Sequence, residues 1–71
     1  MVTYIDVMQS EEFMKIAGIE ALELIAKANG RSLDEAAAAF AMGAPNVVKE
    51  FERLIVSAAK AVADAMTKET N

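Results

Sequence analysis

Between residues 46 and 66 the chain carries apolar positions at the period of an α-helix. Val48, Phe51, Ile55, Ala58, Val62 and Ala65 follow one another at steps of three and four residues, while Lys49, Arg53, Ser57, Lys60 and Asp64 fall on the opposite side. Val47, Leu54, Ala61 and Met66 flank the apolar line. At 100° per residue the whole apolar set covers roughly 160°, against the ~100° that one packing partner requires. The spacing therefore predicts a long helix that touches two neighbours. The charges opposite read as a solvated face, with Lys60/Asp64 and Asp64/Lys68 at helical contact spacing.

Two shorter helices precede it. Ser10 is placed to cap a helix whose first turn holds Glu11 and Glu12, and Asn29-Gly30 supplies a C-terminal stop, so this helix is expected over residues 11 to 28. Its predicted buried stripe is Met14, Ala17, Ala21, Leu24, Ile25 and Ala28, with Glu12, Glu20, Glu23 and Lys27 on the wet side. Ile16 and Ile19 project among those polar positions. Scattered surface apolar residues are ordinary, but a pair on a polar face also fits a subunit contact. Ser32-Leu33-Asp34-Glu35 is a capping box and opens the next helix, expected over residues 33 to 42 and ended by Gly43. Leu33, Ala36, Ala37 and Phe40 make its inner face. Pro45 or Asn46 then starts the long helix, predicted over residues 46 to 67.

The two ends are read differently. Residues 2 to 7, Val-Thr-Tyr-Ile-Asp-Val, are β-branched and aromatic, and are expected as an extended arm or a short strand. A single strand has no partner inside a helical subunit, so it would pair with its copy across a two-fold axis or lie along the helices. Residues 67 to 71 are polar and are expected to fray. The reading is thus one all-α domain of three helices spanning residues 1 to 71, with an N-terminal arm over residues 1 to 9, packed as a helical homodimer. Its predicted core is Leu24, Phe40, Phe51, Ile55 and Val62, and its predicted subunit interface is Ile16, Ile19, Leu54, Ala61 and Ala65.

Composition strengthens the case for association. A chain of 71 residues builds a marginal core, and small domains commonly rely on disulfides, a metal or oligomerisation. There is no Cys and no His, which removes the first and most forms of the second. Apolar residues make up 55% of the chain, much of the excess being alanine. The net charge of −4 opposes binding to nucleic acid and to anionic lipid, so protein partners are favoured, beginning with the chain itself. The run from residue 36 to 45 is about half the ~20 residues that span a bilayer and ends in Gly-Ala-Pro. With no basic residue before Lys15 the N-terminus has no signal-peptide character, and a cytoplasmic location is expected.

Catalytic chemistry finds few footholds. Without His or Cys no Ser/His/Asp or Cys/His nucleophilic arrangement can be built, and no Glu-x-x-His pair exists for a di-iron site. Glu20, Glu23, Glu50 and Glu52 lie at positions the period assigns to water or its border, whereas a catalytic carboxylate needs a desolvated cleft. Asn29-Gly30-Arg31-Ser32 is explained by a C-cap running into an N-cap. No cofactor, metal or catalytic residue is expected.

The order of a strand-like segment, a helix, Ala28-Asn29-Gly30-Arg31-Ser32 and a second helix opening Leu33-Asp34-Glu35-Ala36 resembles the ribbon-helix-helix repressors and antitoxins over roughly residues 2 to 42. That resemblance implies a dimer formed through the N-terminal strand, and a DNA-binding regulator. The strand segment nevertheless holds no Arg or Lys with which to read bases. The leading expectation is a non-enzymatic interaction or assembly module with an accessory or regulatory role, and the ribbon-helix-helix regulator is the alternative.

Overall fold

The computed structural model describes residues 2 to 70, with side chains placed through residue 68. It is all-helical. Four helices follow in order: α1 (Tyr4–Met8), α2 (Glu11–Ala28), α3 (Leu33–Ala41) and α4 (Pro45–Thr70). The N-terminal segment read as an arm or strand is therefore helical, and four helices stand where three were expected. The reason is local. Thr3 takes an extended backbone conformation and caps the helix, its hydroxyl accepting from the Asp6 N–H at 3.4 Å while the Asp6 carboxylate accepts from the Thr3 N–H at 3.0 Å. This is a capping box, and it satisfies N–H groups that a first turn otherwise leaves unpaired. Tertiary contact completes it: Val7 is buried with Ala59 and Ala63 of α4, and Val2, Met8 and Phe13 pack around them.

The other boundaries follow the residues that announce them. Ser10 accepts from the Phe13 N–H, and Ser32 and Glu35 form a second capping box. Both middle helices end alike. Gly30 (φ 64°) and Gly43 (φ 75°) adopt the left-handed conformation that favours glycine. The N–H of Arg31 reaches the carbonyl of Ala26 at 2.8 Å, and that of Ala44 reaches Ala39 at 3.0 Å. Those are the long bonds of two Schellman motifs, whose shorter partners run from Gly30 to Lys27 and from Gly43 to Phe40. Pro45 occupies the first position of α4, where its missing N–H costs nothing. Helix α4 continues to Thr70, through residues expected to fray, while Asn71 lies outside the described residues.

Helix α4 is the spine. Its 26 residues account for most of the 42 Å length of a body only 19 × 18 Å across. Helix α2 runs antiparallel to it: Phe13 packs at the level of Ala59 and Ala63, and Gly18 faces the ring of Phe51. Along this seam Ala17, Ala21 and Ile55 are buried, joined by Met8, Met14, Phe51 and Leu54. Helix α1 covers α4 farther toward its C-terminus, and α3 folds back on α2 and the start of α4, with the Phe40 and Phe51 rings 4.3 Å apart at 41°. The buried line on α4 is Ile55, Ala59 and Ala63, one step of four after another, so α1 and α2 both approach closely over alanine.

The candidate interaction surface

Two predicted core residues are not buried. Leu24 is 56% exposed and Val62 is 38% exposed. Leu24 shares a helix with the buried Ala21 and Ile25, but it lies on the flank that α4 leaves as the two helices part beside α3. Val62 sits on α4 to one side of the line that Ala59 and Ala63 bury against α1 and Phe13, and that line takes the cover. Ile55, at 2% exposure, is the centre of the core, and Phe40 and Phe51 are half-buried as a ring pair. The buried residues that stood neither in the predicted core nor on a predicted inner face are Val7, Ala26, Ala59 and Ala63; nothing in the period marked Ala26, whereas the other three had signals. The Thr3-x-x-Asp6 spacing and the Ile55, Ala59, Ala63 step of four were the signals for them.

The predicted interface residues divide between two surfaces. Ile16 and Ile19 are 59% and 53% exposed on the outer side of α2. Leu54, Ala61 and Ala65 belong to α4, Leu54 half-buried and the two alanines exposed. Leu54 also lines an open groove of about 740 Å³ between α2, α3 and the first half of α4. Its apolar wall includes Leu24, Ala39, Val47 and Leu54, while Arg31, Glu50 and Arg53 edge it. From that groove an apolar strip continues along α4 through half-buried Ala58 to exposed Ala61 and Ala65.

The electrostatics are those of helix ends and surface pairs. The Thr3 backbone N–H holds the Asp6 carboxyl below its ordinary range, with the Thr3 hydroxyl adding to it, and Ser32 does the same to Glu35. At the groove edge the Arg53 guanidinium makes a two-pronged pair with Glu50 and holds that carboxyl low as well. These shifts come from capping and pairing on exposed groups. Among the described residues no polar or charged side chain is buried, and no group of three or more acidic, His or Cys side chains is gathered as a metal site. No described helix is long and apolar enough to cross a membrane. The segment that the ribbon-helix-helix resemblance needs as a strand is α1.

What the arrangement offers is apolar area with charged margins. Neither a family model, nor a curated protein, nor a solved structure shows significant similarity to the chain.

Proposed function

We propose that the protein is a non-enzymatic, cytoplasmic interaction module that works as a homodimer or higher oligomer in an accessory or regulatory role, presenting apolar helical surfaces to itself and to a further protein. The observation that carries this reading is the continuous apolar track from Leu24 and Val47 in the groove, over Leu54, to Ala61 and Ala65 on α4. Large apolar groups left on a small domain mark interaction sites when they are contiguous. A core whose buried residues are mainly alanine, with Ile55 its largest fully buried side chain, also gives reason for a partner to add apolar burial.

Sedimentation equilibrium on the full chain tests it. The expected result is a reversible shift from monomer to dimer mass across the micromolar range. A folded monomer throughout that range overturns the self-association on which the reading rests.

A further inference from the structure

One backbone angle separates α1 from α2. Gln9 has φ −78° and ψ −12°, close to helical values, and Ser10 has a helical φ of −75°. Only the Ser10 ψ of 121° departs, by about 160° from that of an α-helix. Turning it joins the two elements into one helix from Tyr4 to Ala28. No proline or glycine stands between Tyr4 and Ala17 to prevent this.

The joined helix has a place to lie. Helix α2 runs antiparallel to α4, with Ala17 and Ala21 beside Ile55 and Phe13 at the level of Ala59 and Ala63. Both helices rise about 1.5 Å per residue, so each step back along one matches a step forward along the other. Val7 of the straight helix therefore comes level with Thr67, and Tyr4 with Thr70, where α4 ends. Val7, Ser10, Met14, Ala17 and Ala21 follow at steps of three, four, three and four, the repeat of one continuous helix seam. The turns of α4 that this added length reaches carry Met66, with Val62 at their near end, 43% and 38% exposed while α1 is bent aside. Bent, α1 instead buries Val7 against Ala59 and Ala63 and sets the Tyr4 ring 5.3 Å from the Lys60 ammonium. The two seats exclude one another, because each takes Val7.

We propose that α1 is a two-position element hinged at Ser10: bent, it covers the Ala59 and Ala63 side of α4; straight, it covers Val62 and Met66 and opens that alanine side. The bent form is held by the burial of Val7 and by the Ser10 hydroxyl, which accepts from the Phe13 N–H at 3.2 Å. The straight form gains helical acceptors for the Glu11 and Glu12 N–H groups, which a first turn cannot pair within its own helix. The Thr3 and Asp6 capping box travels with α1 and is kept in both. Helix α1 rests mainly on α4 and little on α2, so the swing breaks few contacts with the helix it joins. This goes beyond the self-association proposed above and does not need it, since the exchange lies within one chain.

Variants at Ser10 read the hinge. Ser10→Ala removes the cap and favours a helix interior, and should raise the ratio of straight to bent chains at least about tenfold. Ser10→Gly keeps most of the cap but opposes a continuous helix, and should lower that ratio. Amide hydrogen exchange of Glu11, Glu12 and Phe13 separates joining from fraying: joining slows it in Ser10→Ala, whereas loss of the cap alone speeds it. Spin labels at Ile5→Cys and Ile19→Cys, both exposed sites in a chain without native cysteine, should show a backbone separation of about 21 Å in the straight form. That population should grow in Ser10→Ala and shrink in Ser10→Gly. Faster exchange in Ser10→Ala, or a separation that is the same in the wild-type chain and both variants, overturns the hinge. Distances that change on dilution overturn an exchange within one chain. A chain that is monomeric by sedimentation and still shows both distances supports the hinge and overturns only the self-association.

Discussion

Ile55 and Leu24 differ in consequence because of position rather than chemistry. Ile55 is enclosed between α2 and α4, so Ile55→Ala removes buried methyl groups and leaves a cavity that the surrounding alanines cannot fill by moving. A loss of about 2–5 kcal/mol is expected from chemical denaturation. Leu24→Gln, on the open wall of the groove, is expected to change stability of the isolated chain by less than about 0.5 kcal/mol. Gly18 offers a gain. A Cβ built there would stand 3.7 Å from the Phe51 ring, an ordinary contact, and the residue lies in the middle of α2 where glycine is a poor helix former. Gly18→Ala should raise stability by about 0.5–1 kcal/mol, which thermal unfolding of a domain this small reads as a few degrees.

At the scale of elements, α1 is the instructive case. Its composition is that of a strand, and its first turn is that of a helix. Thr3 and Asp6 bond each other reciprocally, Val7 finds Ala59 and Ala63, and the exposed Tyr4 ring lies 5.3 Å from the Lys60 ammonium. A capping box that settles the first turn, together with a docking site, outweighs β-propensity, which reports mainly how side chains pack on a sheet that this chain does not form. Both capping boxes should be sensitive to acid. The folded-state carboxyls of Asp6 and Glu35 titrate below their ordinary values, so their contribution is complete above the unfolded pKa and is lost as pH falls through the folded pKa. Helicity and thermal midpoint are accordingly expected to fall below about pH 4, where ordinary carboxylates protonate. The double variant Asp6→Asn, Glu35→Gln should show a flatter acid limb in the same titration. A limb as steep as that of the native chain would show that other carboxylates govern it.

For the whole molecule, the open question is what covers the outer edge of α4. The groove beside α3 and the Ala61/Ala65 strip lie on one continuous side of the spine, and the proposed second copy would close both. Amide hydrogen exchange checks this without any substitution. Protection from residue 58 to 65 should rise with protein concentration, while protection at the Schellman turns around Gly30 and Gly43 should not. Exchange that is independent of concentration along α4 would contradict the proposed interface. The roughly 160° apolar arc read from the sequence of the long helix already included Leu54, Ala61 and Ala65.

How much the chain itself determines can be stated residue by residue. Ser10, Ser32 with Glu35, Gly30, Gly43 and Pro45 place the boundaries of α2, α3 and the start of α4, because caps and stops act within a few residues and need no tertiary partner. The periods of three and four place Ile55, Ala17 and Ala21 inside. The phase of burial at the ends of the helices was not local. Leu24 lost its cover because α2 and α4 separate beside α3, and Val62 lost its cover because α1 lies against the Ala59 side of the spine. Both outcomes depend on where the elements cross, which no window of sequence contains. The fate of residues 4 to 8 joined the two scales. Thr3 and Asp6 made a helix available, and the alanine face of α4 gave Val7 a place to bury, so the segment became the fourth helix of the bundle.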